Sequence, residues 1–212
     1  MLFVYVSSLL CKLLNMVASP IHVNTIIVGG GHAGVNLACM LKLDAGGEVD
    51  HLILERSTSL LSKWRDKRWD HFQLNTPVGF SRLHGQKGCR YDTRDDWLLD
   101  RPIQQDIECW DAHINNLGIM ERCRLNSNVI SVKPCEDGTF ETIVEEGEGE
   151  NASKTIAVYN SKNLVVCNGV YDHNIVPKNL ANAIPASIKQ HISGGFKLED
   201  LVDGNVLVVG SR

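Results

Sequence analysis

The 212-residue sequence has no two cysteines spaced for shared chemistry. Its seven, at positions 11, 39, 89, 109, 123, 135 and 167, include no C-x-x-C and no other metal-ligand spacing. A zinc or iron–sulfur centre is therefore not expected, and the thiols read as reduced, as in a cytoplasmic protein. Excess positive charge is also missing: 21 Lys and Arg against 25 Asp and Glu leave a net charge of −4, which argues against a surface built to neutralise nucleic-acid phosphates. There is no uninterrupted apolar run of membrane-spanning length, because residues 1–18 are broken by Ser7, Ser8, Lys12 and Asn15. No internal repeat and no hydrolytic triad are recognisable. What is present, 43% hydrophobic and 22% charged residues, excludes long disorder and provides for one sizeable core or two small ones.

Residues 1–18 leave three readings open: a dispensable extension with translation starting at Met16, a signal or membrane anchor lacking a basic n-region, or a docked helix. Membrane contact through this segment ranks below the dispensable extension. The first patterned element is Thr25 to Val28, an apolar β-branched run leading into Gly29-Gly30-Gly31-His32-Ala33-Gly34. Ala33, Leu37, Met40 and Leu41 then recur at helical spacing, which predicts a helix buried on that stripe and ended by Gly46-Gly47. His51 to Leu54 reads as a second strand finishing at Glu55-Arg56. Strand, glycine turn, helix and strand in this order predict a parallel sheet.

Ser57 to Arg94 is rich in Trp, Arg, His and Gly with little periodicity, and is long for a plain connection. A helix is expected next, with Ile103, Ile107, Trp110, Ile114 and Leu117 on one face, Pro102 in its first turn and Gly118 at its end. From Asn128 the pattern becomes an antiparallel meander: Val129 to Lys133, an Asp137-Gly138 turn, Thr139 to Val144, an acidic tip at Glu145 to Glu150, and Thr155 to Tyr159. Leu164 to Cys167 reads as a separate, buried strand ending at Asn168-Gly169. Val170 to Asp203 reads as loop, and Val206 to Val209 as a final strand.

The motif that carries chemistry is Gly29, Gly31 and Gly34 in G-x-G-x-x-G spacing. The first glycine permits a tight turn, the second lets backbone approach a pyrophosphate, and the third allows close helix–strand packing at a helix end that attracts phosphate. A strand precedes it, a helix follows, and Glu55 falls 21 positions after Gly34, where a carboxylate can accept hydrogen bonds from a ribose diol. A dinucleotide site follows, for which FAD and NAD share the signature. Arg56 is either a partner for a 2′-phosphate or a solvated surface charge. His32 is expected to contribute backbone rather than imidazole.

Taken in order, Ile26 to Glu55, Ser62-Lys63-Trp64-Arg65, Phe72-Gln73-Leu74-Asn75-Thr76-Pro77 and Leu164 to Gly169 resemble the FAD-binding half of flavin-containing monooxygenases. The branch most similar is that of flavoproteins related to plant auxin-forming monooxygenases, and the resemblance spans about Asn24 to Arg212. It implies an α/β, Rossmann-like FAD-binding domain with a parallel sheet and an antiparallel β-meander. It places the ADP part of FAD on Gly29, Gly31, His32, Ala33, Gly34 and Glu55, with Arg56 alongside, and adenine on the backbone of Val129. Trp64 and Arg65 would lie beside the flavin, Asn75 on its nicotinamide side as the catalytic candidate, and Gly169 in the turn after Val165. From the residues alone, Trp64 and Trp69 read equally well as packing residues, and Asn75 as a turn former before Thr76-Pro77.

The sequence departs from the family at Ser62-Lys63, where two glycines are usual, at Cys167-Asn168 in place of Ala-Thr, and at Ile192-Ser193-Gly194-Gly195-Phe196, where His191 is displaced by one position. Gly210-Ser211 opens a second glycine motif, which in the family binds NADPH, but Arg212 stands where its next glycine belongs. The expected organisation is an extension at 1–23, an FAD-binding domain at 24–203, and at 204–212 the first strand of a truncated second dinucleotide domain. The implied function is that of the FAD-binding part of an NADPH-dependent monooxygenase, oxygenating a small organic substrate at nitrogen, sulfur or a carbonyl. The alternative is a non-catalytic domain binding nucleotide or a partner. A disulfide-reductase reading is set aside, because only Cys89 lies between Glu55 and Cys109.

Overall fold

A computed structural model describes residues 19–47, 49–68, 72–87, 101–147, 153–169 and 178–185. Strand β1 (Ile21–Val28) passes through the glycine turn into helix α1 (His32–Leu43) and returns as β2 (His51–Leu54). Two short helices, α2 (Ser62–Arg65) and α3 (Val78–Ser81), flank β3 (Gln73–Leu74), which pairs with β4 (Arg101–Pro102). Helix α4 (Ile103–Asn116) leads through a 3-10 turn to β5 (Cys123–Arg124). Then come β6 (Ser127–Pro134), β7 (Phe140–Glu146), β8 (Thr155–Val166) and α5 (Lys178–Ala183).

One six-stranded sheet has the order β5-β2-β1-β8-β7-β6. Its first four strands are parallel, and β7 and β6 add antiparallel to β8. The fold is therefore the expected α/β arrangement of parallel sheet and meander. The expected final strand and Gly210 lie outside the described residues. The two edge strands, β5 and β6, are separated in sequence only by Leu125 and Asn126, so the sheet must curl until its edges meet. At that seam the Ser127 N–H donates to the Glu55 carbonyl at 2.8 Å, Asn126 N–H to the Ser57 carbonyl at 3.0 Å, and Gly147 N–H to the Asn126 carbonyl at 3.2 Å. Asn126 takes a left-handed φ of 53° to make the corner, a conformation that asparagine tolerates better than most residues.

One face of the sheet packs Ile27 and Ile53 against Val35, Ala38 and Cys39 of α1 and Ile107, Trp110 and Ile114 of α4. Each large apolar side chain buried there contributes about 1.5–3 kcal/mol. Helix α4 buries the expected stripe. Helix α1 does not: it buries Gly34, Val35, Ala38 and Cys39, while Ala33 and Met40 face outward and Leu37 and Leu41 sit at the margin. Close approach decides the face, since a Cβ on Gly34 would overlap the Gly29 carbonyl oxygen, so the small side chains, not the bulky ones, meet the sheet.

Four further expectations are corrected. Thr155–Tyr159 and Leu164–Cys167 are one strand, β8, because its polar middle, Asn160 to Asn163, pairs with β1 on one side while Asn160 and Ser161 also pair with β7. Backbone pairing on both sides outweighs the turn-like composition. Its end is not a buried strand either, for Val166 is 61% exposed. The segment after Val170, read as loop, contains α5. Among the cysteines, Cys39, Cys123, Cys135 and Cys167 are free thiols, but Cys109 is disulfide-bonded; spacing along a chain does not report pairing through space. No helix among the described residues is long and apolar enough to cross a membrane.

Burial pushes the Cys39 thiol up to about 11 and Cys123, which also feels the Glu55 charge, up to about 12, from an ordinary 9.0. Burial also raises the Tyr159 phenol, helped by its hydrogen bond to Glu146. These groups keep their protons in the folded chain after the unfolded chain has lost them, so stability is full below about pH 9 and declines from there toward about pH 12. Urea midpoints taken from pH 7 upward should be level to about pH 8 and then fall; a level midpoint to about pH 11 would contradict the burial of these groups.

Candidate functional site

The glycine turn is fastened on several sides. Gly29 N–H donates to the Leu54 carbonyl at 2.8 Å, and Cys167 N–H to the Val28 carbonyl at 2.7 Å. Leu61 N–H donates to the Gly30 carbonyl at 2.8 Å. Gly30 N–H donates to Glu55 Oε2 at 2.6 Å, while Ser57 N–H donates to Glu55 Oε1 at 2.8 Å. Glu55 is only 7% exposed, and these two amides solvate its carboxylate in place of water. Each oxygen retains lone-pair capacity for a further donor.

The glycines divide by the space around them. At Gly29, with φ of +103°, a Cβ would lie 2.6 Å from the Cys167 carbonyl oxygen, and at Gly30 it would run into Leu60. At Gly31 it would meet nothing within 4 Å, and the backbone there (φ −72°, ψ −176°) is open to any residue. The fold itself does not require glycine at 31; the bare Cα is left open to whatever enters from outside. Gly31 is also the N-cap of α1, and no side chain caps that end. The first amides of α1 and its partial positive charge thus face outward together.

That opening forms one wall of a cavity of about 790 Å³. Its lining brings together Gly29, Gly31, Glu55, Arg56, Val129 and Gly169 from the sequence-derived set. Val28, Leu54 and Val166 contribute the carboxyl ends of the parallel strands, where open α/β sheets bind ligands. Ser127 to Val132 form the facing wall, and the β6 register shifts between Val129 and Ser131, so that Ile130 bulges and is 52% exposed. Lys63 and Lys67 also line the cavity and are absent from the sequence-derived set. For Lys63 the only signal was its place in the departure from two glycines.

The other candidates are not in this lining. Gly34 and Ala33 lie behind it in α1, Gly34 as a packing residue. The His32 ring makes structural contacts: Nε2–H donates to the Ser81 carbonyl at 3.0 Å, and the imidazole meets Trp110 edge-on at 5.2 Å. At the helix start its side chain points at α3, which the sequence pattern does not reveal. Trp64 packs on Trp110 and Phe72, with Arg68 over its ring at 4.2 Å. Arg65 is paired with Asp111 of α4 and donates from Nε to the Leu60 carbonyl at 2.9 Å. Asn75 is exposed just after β3.

No family model matches the chain. It is 30% identical over 165 residues to indole-3-pyruvate monooxygenase YUCCA4 of Oryza sativa subsp. japonica, covering 72% of this chain and 34% of that protein. Among solved structures, cyclohexanone monooxygenase from Rhodococcus sp. Phi1 bound to NADP+ superposes with a TM-score of 0.56 at 16% identity, over 75% of this chain and 28% of that one. The OTEMO complex with FAD and NADP superposes at 0.55 and 16%, over 76% and 28%. The fold is that of flavin monooxygenases, and the chain spans about a third of the length of the curated relative.

The two glycines next to the cavity allow a paired test. Gly31→Ala should keep unfolding stability within about 0.5 kcal/mol while weakening FAD or ADP binding at least about tenfold. Gly34→Ala should lose about 2–3 kcal/mol of stability. Urea unfolding and ligand titration on both variants check this; a Gly31→Ala variant with unaltered affinity would place the ligand elsewhere.

Proposed function

From a chain similar in sequence and fold to flavin monooxygenases over part of their length, we propose that the cavity holds the ADP portion of FAD. The domain then acts as the FAD-binding part of an NADPH-dependent flavoprotein monooxygenase working on a small organic substrate at nitrogen, sulfur or a carbonyl. The observation that carries the reading is the bare, unobstructed Gly31 at an uncapped helix start inside a cavity beside Glu55. These residues fit the group. The first amides of α1 suit the diphosphate, and the remaining lone pairs of Glu55 suit the ribose hydroxyls. Val28, Leu54, Ile130 and Val166 offer an apolar wall for adenine.

When bound, FAD supplies the electron transfer between NADPH and oxygen. The residues of this chain bind it, orient it, and position the segment beyond β3. In that segment Thr76 Oγ1 lies 3.0 Å from Ser81 Oγ, and the Ser81 carbonyl accepts both the His32 ring at 3.0 Å and Trp110 Nε1–H at 2.7 Å. Asn75, at the start of this braced segment, is our candidate for the nicotinamide side. We take 24–203 as the FAD-binding domain and 204–212 as the first strand of a second.

A second reading, nucleotide binding without turnover, is favoured by one observation: Trp64 and Arg65 are engaged in packing and in the ion pair with Asp111.

The two readings separate on the purified chain. FAD should stay bound through gel filtration and show visible flavin absorption, which NADPH should bleach without air. Bound FAD that NADPH leaves oxidised would favour the second reading; a chain that retains no FAD would refute the first.

A further inference from the structure

We propose that the Ser57 hydroxyl, oriented by Ser62, donates to the ribose diol of a dinucleotide in this cavity, an inference that rests on the cavity being a dinucleotide site. Both serines line the cavity together with Glu55. Ser62 Oγ–H donates to Ser57 Oγ at 3.0 Å. A serine hydroxyl carries one proton and two lone pairs. With one lone pair taken by Ser62, the Ser57 proton is directed away from Ser62 and toward another acceptor. A ribose hydroxyl that donates to Glu55 keeps its own lone pairs, so the same oxygen can take that proton.

Backbone hydrogen bonds hold both serines in place. Ser57 N–H donates to Glu55 Oε1 at 2.8 Å, and the Ser57 carbonyl accepts from Asn126 N–H at 3.0 Å. Ser57 is thus fixed to the acid itself and to the corner between β5 and β6. Ser62 opens α2 immediately after Leu61, whose N–H donates to the Gly30 carbonyl at 2.8 Å. The Ser62 carbonyl accepts from Asp66 N–H, also at 2.8 Å. The Ser57–Ser62 hydrogen bond therefore runs from the acid to the segment fastened on the glycine turn. Both residues are partly shielded from solvent, where water competes less for a hydroxyl. A carboxylate offers only acceptors, and Ser57 adds a donor beside it. That pair matches a group that both donates and accepts, as a ribose hydroxyl does and an ionised phosphate oxygen does not. Where the resembled family has two glycines, Ser62 supplies a hydroxyl, so the orienting contact comes from a side chain particular to this sequence.

The test uses the full chain, Ser57→Ala, Ser62→Ala and Ser62→Thr, titrated calorimetrically with ADP, 2′-deoxy-ADP and 3′-deoxy-ADP. Ser57→Ala keeps the backbone N–H on Glu55 and removes only the hydroxyl. It should bind ADP about five- to tenfold more weakly. At least one deoxy analogue should bind this variant within about twofold of its affinity for the original chain, because the ribose oxygen that Ser57 meets is missing from it. Ser62→Ala should weaken ADP binding about two- to fivefold with the same dependence on the analogue. Ser62→Thr, which keeps a hydroxyl, should bind ADP within about twofold of the original chain. Unaltered ADP affinity in Ser57→Ala would overturn the assignment and leave the dinucleotide reading standing. An equal loss for ADP and both deoxy analogues would also overturn it, as a change of cavity shape. Failure of the unsubstituted chain to bind ADP would remove the dinucleotide reading itself, before any serine is changed.

Discussion

The carboxylate of Glu55 is the constraint on which the rest depends. A charged group that is 7% exposed has to be solvated by protein dipoles, because burial without partners is far costlier than any single packing contact recovers. The fold meets this with the amides of Gly30 and Ser57. The backbone of the same residue donates to the Arg124 carbonyl at 2.9 Å and accepts from Ser127 N–H at 2.8 Å. One residue therefore joins the glycine turn, the segment leading to α2, and both edge strands. An acid suited to ribose also holds the turn that suits the phosphates in place.

The cavity is a consequence of that junction. A flat sheet in the order β5-β2-β1-β8-β7-β6 would carry β6 far from β2, yet the two-residue link after β5 brings the start of β6 back beside Glu55. Curling the sheet leaves a space between the carboxyl ends of the parallel strands and the first half of β6. The bulge at Ile130 lies in the lining of this space, and the exposed Val166 at the end of β8 lines it as well. The meander serves as the far wall of the site.

What could be read in advance was whatever depends on neighbours in sequence. The glycine turn, β2 and the α4 stripe each follow from a short period and local capping, and all appear where expected. Properties set by distant partners were not legible. The buried face of α1 was chosen by the missing Cβ of Gly34 against Gly29, not by its bulkiest residues. Continuity of β8 through Asn160 to Asn163 came from pairing with β1 along that middle and with β7 at its start. In the site, the adenosine-end candidates converge because they sit on strand ends of one sheet. The packing partners of Trp64 and Arg65 were not legible from their order in the chain, because α4 supplies them, Trp110 and Asp111, from more than 40 positions away.

This division has a mechanical side. The Ser81 carbonyl takes one hydrogen bond from His32, at the start of α1, and another from Trp110, in the middle of α4. Both of its lone pairs are then used, and the two donors come from elements that pack on the same sheet. The Thr76–Ser81 turn is thereby referenced to the helix start that faces the cavity, although it lines no part of the cavity itself. From the cavity-facing end of α1 the contacts run through the His32 ring to Ser81, and through the Ser81 hydroxyl to Thr76, the neighbour of Asn75. The helix start that we propose binds nucleotide and the segment that we propose meets the nicotinamide side are thus linked by two hydrogen bonds and not by a shared pocket.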